Sequence, residues 1–413
     1  MDDVLDDVVL MLLAALRGAP RRAQRVRSHD GWYPETGVAN LRLTAAKTCV
    51  TLPHPENVFG RRIVISTIRE VAKLSGVSVA TVSRVFNGYA DVSEATRQRV
   101  MATAKRLDYA PSAAARTLVK QSSQLIGVIL YTGQEHPDIQ HPFFQEVLVG
   151  LKHGIGALGY DLLLFATEQP GSNRGGPHSY LRRARHHRVD GVVLMGVEPD
   201  DPEVVKLLAS PTPIMGVDLD ISGPRASYVT SDNVTGARLA VRHLHALGHT
   251  RIATISGPPG SKAGGDRLVG YRAELQALGL ESIPGYEQEG DFYAETGESS
   301  MHALLRLPTP PTAVFAAADM MAIGALKALR DAGLRCPEDV AIVGFDDIAL
   351  AGLLSPALTT VRQEAPEIGI AAGRSLIEMI EDPQVHAPVR VMPVELVIRE
   401  SCGAGAPALP STV

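Results

Sequence analysis

Between Thr67 and Leu107 apolar residues recur at intervals of three and four, and the polar residues between them sit where helices begin and end. Thr67-x-x-Glu70 forms a capping box, in which the hydroxyl takes an orphan amide and the carboxylate reaches back to the cap. Ile68, Val71, Ala72 and Leu74 then line one apolar face. Ser75-Gly76-Val77 makes a turn in which Gly76 can take a positive φ. Ser78 caps a second helix that points Val82, Val85 and Phe86 inward and leaves Val79, Ala80, Ser83 and Arg84 outside, before Asn87-Gly88 ends it. A third helix starts at Ser93 and runs to about Leu107, burying Ala95, Val100, Ala104 and Leu107. Two short helices around a tight turn, braced by a third, lay the second helix in a DNA major groove.

From Leu125 the pattern changes. Continuous apolar runs begin at Leu125, Asp161, Gly191, Pro213, Arg251, Ala313 and Val340, with helical stretches between them. Unbroken apolar strands separated by helices predict parallel sheets covered on both faces. About 275 residues is too many for one such sheet, so two similar subdomains are expected. Ligands of open α/β sheets bind at the carboxyl ends of strands, here between the two lobes.

Charge sharpens this division. The 413-residue chain carries a net charge of −5, yet eleven bases and four acids between Arg61 and Lys120 leave that segment at +7 and the rest at −12. Such an asymmetry fits an electrostatic docking module joined to an acidic sensor. A composition of 45% hydrophobic and 21% charged residues excludes wholesale disorder. No run approaches the roughly 18 apolar residues of a membrane span, and the short stretch from Val8 to Leu16 is flanked by Asp2, Asp3, Asp6 and Asp7. A cytoplasmic, nucleoid-associated protein is the expectation.

Catalytic chemistry has no candidate. There is no P-loop and no nucleophile elbow, and Cys49, Cys336 and Cys402 show neither metal spacing nor a disulfide framework. Gly154-x-Gly156-x-x-Gly159 matches a dinucleotide fingerprint but closes a helix instead of opening one. His243, His245 and His249 look like a metal trio, although positions two apart do not share a helix face. No enzyme, cofactor or metal is expected.

The segment from Thr67 to Gly88, reading TIREVAKLSGVSVATVSRVFNG, resembles the DNA-binding headpiece of the LacI/GalR family of bacterial transcription regulators. The resemblance continues to about Cys402 through HPFF (His141–Phe144), SDN (Ser231–Asn233), DRLVGY (Asp266–Tyr271), GDF (Gly290–Phe292), ADMMAIGAL (Ala318–Leu326), GFDD (Gly344–Asp347) and LTTVRQ (Leu358–Gln363). It implies an α/β chain in which an all-α helix-turn-helix headpiece is joined by a hinge helix to a bilobed, periplasmic-binding-protein-like domain of two parallel-sheet subdomains.

The expected divisions are an N-terminal extension (1–60), the headpiece (61–108), a hinge helix and linker (109–122), an effector-binding and dimerisation domain (123–402) and a flexible tail (403–413). The lobes are expected to pair 123–231 with 337–365, and 232–336 with 366–402. By resemblance, Val79, Ala80 and Arg84 read bases, and Arg84 can bond a guanine in bidentate fashion. Ser78, Thr81 and Ser83 suit phosphates, and Thr67 and Asn87 are further DNA contacts. Ala113, Arg116 and Leu118 of the hinge enter the minor groove, with Leu118 as the wedge. Effector contacts carried over in the same way are Phe143, Phe144, Asp218, Arg267, Phe292 and Asp319. Acids that accept pairs of hydroxyls, a forked arginine and aromatic covers suit a sugar. Ser261 stands where purine sensors of the family carry a base, which also favours carbohydrate. The expected whole is a homodimeric repressor of a pseudopalindromic operator under effector control. Gly403–Val413 cannot form a tetramerising helix. The competing reading is a small-molecule-binding module or enzyme on a bilobed scaffold without operator binding.

Overall fold

The computed structural model describes residues 67–109, 122–130, 138–166 and 179–404. The extension 1–60, the hinge residues Ala113, Arg116 and Leu118, and nearly all of the tail lie outside the described residues.

Three helices make the headpiece: α1 (Ile68–Ser75), α2 (Val79–Phe86) and α3 (Glu94–Arg106). Each begins at the hydroxyl that the sequence offers. Thr67 accepts from the Glu70 amide while the Glu70 carboxylate takes the Thr67 amide, and Ser78 and Ser93 accept from the amides of Thr81 and Thr96. Gly76 ends α1 at φ 66°, which favours glycine. Val71, Ala72, Val82, Val85, Val100 and Ala104 form the core, edged by Ile68, Phe86, Leu107 and Tyr109. Two expected core residues lie outside it: Leu74 is 53% exposed and Ala95 is exposed. At 100° per residue, Leu74 stands about 110° round from the face centred on Val71, Ala72 and Ser75. Ser75 takes the buried place, with its hydroxyl donating to the Val71 carbonyl.

Two six-stranded sheets follow. The first holds β1 (Leu125–Leu130), β2 (Asp161–Leu164), β3 (Gly191–Met195), β4 (Ile214–Val217), β5 (Ala226–Ser231) and β11 (Arg390–Met392), in the order β11-β5-β4-β3-β1-β2, with every pair parallel. The second holds β6 (Ile252–Ser256), β7 (Glu287–Glu289), β8 (Ala313–Ala316), β9 (Ala341–Asp346), β10 (Thr359–Gln363) and β12 (Val394–Val397), in the order β12-β10-β9-β8-β6-β7. Only β10 and β12 pair antiparallel within it. The helices are α4 (Pro142–Gly156), α5 (Tyr180–His187) and α6 (Pro202–Leu208), then α7 (Asn233–Ala246), α8 (Lys262–Ala277), α9 (Ala294–Leu305), α10 (Asp319–Asp331) and α11 (Ala365–Glu381).

This topology corrects the expected partition of the C-terminal third. Residues 337–365 supply β9 and β10 to the second lobe, whereas α11 and β11 belong to the first, and only β12 returns. A run of apolar residues reveals a strand but not the sheet it joins. Helix α11 is committed to the first lobe by its seam with α4, where Ala365, Ile368, Ala372 and Leu376 meet Val147, Leu151 and Ile155. Glycines let the two backbones touch: a Cβ on Gly150 would stand 1.9 Å from the Pro366 carbonyl oxygen, and one on Gly369 2.1 Å from that of Val147. Gly154, part of the fingerprint look-alike, packs on Ile370 in the same seam. The chain therefore crosses between lobes after β5, after β10 and after β11, and the Asp232 amide donates to the Met392 carbonyl across two of these crossings at 2.8 Å.

The three histidines are spread over separate contacts. His243 Nε2 lies 3.2 Å from Cys402 Sγ, His245 Nδ1 lies 3.2 Å from the His249 carbonyl, and His249 Nδ1 lies 3.0 Å from Thr312 Oγ1.

Candidate nucleic-acid interface and effector cleft

Helix α2 presents Ser78, Val79, Ala80 and Arg84 to solvent, with Val79 42% exposed, and holds Thr81, Ser83 and Asn87 half-buried. At 100° per residue, Val79, Ser83, Ala80 and Arg84 fall within an arc of about 140°, which makes one presenting face. Several hydroxyls on this face already have partners. Ser78 Oγ lies 2.9 Å from Thr81 Oγ1, and Asn87 Nδ2 donates to the Ser83 carbonyl at 2.8 Å and to Ser83 Oγ at 3.2 Å. Asn87 thus folds back to close its own helix. Thr67 Oγ1 is likewise engaged with Glu70. Arg84 has a partner that the sequence did not advertise, since its Nη1 pairs with Asp91 Oδ2 at 3.2 Å. The loop carrying Asp91 is tied down by Arg97, which donates to the Tyr89 carbonyl at 2.8 Å.

At the carboxyl ends of the strands in the second lobe lies a buried arginine among acids. Arg267 of α8 is 3% exposed. Its Nε donates to Asn233 Oδ1 at 2.8 Å, its Nη1 donates to the Ala317 carbonyl at 2.6 Å and stands 3.7 Å from Asp346 Oδ1. The guanidinium stacks 3.7 Å from the Phe345 ring centroid and 5.7 Å from that of Phe292. Burial pulls its pKa down, while the charges of Asp346, Asp218 and Asp319 pull it up.

Asp218, just after β4 of the first lobe, takes φ 51° and accepts from Thr230 Oγ1 at 2.7 Å. Burial raises its pKa against the opposing charge of Arg267. Phe292 takes φ 75°, and a Cβ on Gly257 would meet its ring at 2.2 Å, so only glycine leaves room for the aromatic there. His141 of the first lobe bridges to it: Nε2 lies 3.3 Å from the Phe292 carbonyl, and the imidazole packs against Phe144 and Tyr293.

Two of the expected contacts are enclosed in the fold. Phe143 is 6% exposed in the core of the first lobe, because position 143 of α4 faces Val147 and Leu151, while Phe144 stays half-buried beside His141. Asp319 is fully buried and is not an open acceptor. Its Oδ2 accepts the Ile348 amide at 2.9 Å and its Oδ1 the Thr360 hydroxyl at 2.6 Å. Burial, then the neighbouring Asp346, holds its carboxyl well above the usual range. A Cβ on Gly344 would stand 2.2 Å from Asp319 Oδ1, which explains the glycine of GFDD. The sequence also passed over the residues that orient this group, namely Asn233, Gln363, His141 and Asp346. All four lie inside strings quoted from the sequence, SDN, LTTVRQ, HPFF and GFDD, which was the available signal.

The model of the bacterial regulatory proteins of the lacI family matches residues 67–112, and that of the periplasmic-binding-protein-like domain matches 241–402. The chain is 38% identical over 338 residues to the HTH-type transcriptional regulator CelR of Thermobifida fusca, covering 81% of this chain and 98% of that one. The chain belongs to the LacI family. Another LacI-family relative, the ribose operon repressor of Escherichia coli strain K12, is 37% identical over 325 residues, 78% of this chain and 95% of its own. Among solved LacI-family structures, the Lac repressor dimer bound to operator and the anti-inducer ONPF superposes with a TM-score of 0.71 at 29% identity, covering 82% of this chain and 99% of that one. A CelR–cellobiose complex superposes with a TM-score of 0.61 at 34% identity, covering 81% and 99%.

Proposed function

We propose that this LacI-family chain is a sequence-specific repressor that binds a pseudopalindromic operator as a homodimer and answers to an uncharged carbohydrate in the cleft between its lobes. The observation that carries this reading is the capped helix α2, whose solvent face offers Val79, Ala80 and Arg84 side by side. Arg84 matches the N7 and O6 of guanine, and Val79 and Ala80 suit a thymine methyl. The hinge contacts Ala113, Arg116 and Leu118 belong to the proposal on resemblance alone. The Lac repressor is a dimer on its operator in the structure that this chain resembles. That supports two headpieces on two half-sites.

The effector class follows from charge. Asp218, Asp319 and Asp346 surround a single buried cation, Arg267. Such a group leaves little net positive charge to hold phosphorylated or carboxylated ligands and suits the hydroxyls of neutral ones. CelR is seen with cellobiose, and a further relative is named for the ribose operon. Phe144, Asp218, Arg267 and Phe292 are the contacts this reading retains. Effector binding would change lobe closure, and linkage would then change operator affinity by the same factor in both directions. The site of action is the chromosome, hence the nucleoid. No helix among the described residues is long and apolar enough to cross a membrane.

The test is selection of duplexes from a random pool by the full chain, repeated with neutral sugars present. A shared palindromic site whose capture changes with one of those sugars is the expected result. Equal retention of every duplex under all conditions overturns the reading.

A further inference from the structure

Outside the segment from Arg61 to Lys120 the chain sums to −12, so a run of bases on its body stands out. Helix α5 with its cap, residues 180–188, carries Arg182, Arg183, Arg185, His186, His187 and Arg188 and no acid. Ala184 seats the helix on the first sheet, in a cluster with Val192, Leu194, Val204 and Leu207. Arg183 holds it there too, donating to the Ala166 carbonyl at 2.5 Å and stacking 4.9 Å from the Phe165 ring centroid. Arg182, Arg185, His186 and Arg188 are exposed. At 100° per residue the first three lie within an arc of about 100°, on the side away from Ala184. No ion pair engages Arg182, Arg185 or Arg188 among the described residues. Bases in a last turn suit the helix dipole, yet like charges three and four residues apart repel. A helix built for its own stability would interleave acids, and this one does not.

The cluster stands where the chain arrives from the headpiece. Strands β1, β2 and β3 run parallel, so Leu125, Asp161 and Gly191 begin at one edge of the sheet. There the Asp190 amide donates to the Leu125 carbonyl at 2.8 Å, and its carboxylate accepts the Ser122 hydroxyl at 2.6 Å and the amides of Ser123 and Gln124 at 2.8 Å each. The incoming chain is thus fastened two residues beyond Arg188. Asp190 is occupied by that chain, and exposed Asp161 offsets only part of the basic cluster. Residues 110–121 alone separate the headpiece from this edge. Even fully extended they reach no more than roughly 45 Å, so a duplex held by α2 stays within that distance of the edge.

We propose that Arg182, Arg185 and Arg188 form an accessory surface for the DNA backbone, taking phosphates that flank the bases read by α2. This rests on the reading of the headpiece as an operator binder. Guanidiniums on phosphates are strong, charge-assisted contacts, but they position the duplex and carry no sequence information. DNA is the occupant because the tether brings it to the one basic face of an otherwise acidic lobe.

The experiment is fluorescence anisotropy of the full chain on two duplexes, both carrying the palindromic site recovered from the random pool. The short duplex is the bare site, and the long one adds about 15 base pairs on each side, which outreach roughly 45 Å at ~3.4 Å per pair. Wild type should favour the long duplex, by an advantage that shrinks about tenfold from about 50 to 200 mM salt if one phosphate is held per protomer. The triple variant Arg182→Gln, Arg185→Gln and Arg188→Gln should lose most of that advantage and its salt dependence, while matching wild type within about twofold on the short duplex. All three side chains are exposed, so the fold is kept. A control triple on the second lobe, Arg306→Gln, Arg330→Gln and Arg335→Gln, removes the same charge from exposed positions and should keep the advantage. Equal losses in the two triples reduce the effect to net charge and overturn the inference. An α5 triple that behaves as wild type on both duplexes also overturns it, and leaves the cluster to an acidic protein. Either result leaves the operator reading standing. Recovery of no site from the pool overturns that reading and this inference with it.

Discussion

Two arginines show how differently the headpiece and the cleft are built. Arg84 has a side chain 58% exposed and pairs with Asp91, itself 54% exposed. Arg267 is 3% exposed, bonded to Asn233 and the Ala317 carbonyl, stacked on Phe345 and surrounded by Asp346, Asp218 and Asp319. An exposed pair in water is worth about 0–1 kcal/mol, so Arg84 can change partners at little cost. A buried cation whose acids depend on it cannot. Under the proposed function, the headpiece holds Arg84 only loosely for DNA, whereas the second lobe has built Arg267 into the fold.

The largest effect expected from this contrast is that of Arg267→Ala. Leaving buried acids without their counter-charge costs about 3–5 kcal/mol. A urea or thermal melt should show it, together with loss of the sugar response. Arg267→Lys should recover little, because one ammonium cannot reproduce a fork that bonds Asn233 and Ala317 while stacking on Phe345. A melt unchanged by Arg267→Ala would mean that the arginine is held for its ligand alone. Next comes Asp319→Ala. It orphans the Ile348 amide and the Thr360 hydroxyl, each a loss of about 1–3 kcal/mol when left buried and unmade, partly offset by relief of the repulsion with Asp346. A lowered melting temperature is therefore expected even without ligand. A sugar response lost at an unchanged melting temperature would restore Asp319 as a direct contact.

The same contrast governs what the sequence disclosed. The headpiece is written in neighbouring residues: Thr67 with Glu70, Ser78 with Thr81, and apolar positions one turn apart. Of its two misplaced core positions, Leu74 loses the buried place to Ser75 because angle outranks hydrophobicity in a helix of two turns, and Ala95 lies exposed in the first turn of α3. In the cleft, strand runs were legible but sheet membership was not. The signal that would have helped was glycine at four-residue spacing, Gly150 with Gly154 and Gly369 with Gly373, in two distant helical stretches. Arg267 and Asp218 were reached through family resemblance, which names positions without giving their state. Burial of Phe143 and saturation of Asp319 depend on partners far off in the chain, so no local pattern could carry them.

Arg84→Ala should leave the melt within about 0.5 kcal/mol of wild type, as for most surface changes away from special features. Its effect belongs to DNA. Losing a bidentate guanine contact removes about 1–3 kcal/mol of preference at one base pair per half-site, which competition among single-base operator variants would reveal. Equal weakening on every variant would reduce Arg84 to a phosphate contact.

The smallest effect expected is that of Asp91→Asn, and it probes why an acid stands beside the reading arginine. To reach a base, Arg84 must give up Asp91, which costs at most about 1 kcal/mol for an exposed pair. A guanine in register returns more than that, but a lone phosphate contact on random DNA returns little. Asp91 also adds a like charge facing the phosphates on every sequence. Its removal should tighten binding to all duplexes less than about fivefold, and more on operator than on random competitor, widening the ratio between them. In an Arg84→Ala background the widening should vanish while the uniform tightening remains, because only the first acts through the arginine. If both parts survive in that background, the acid works through its charge alone, and the exposed pair has no part in discrimination.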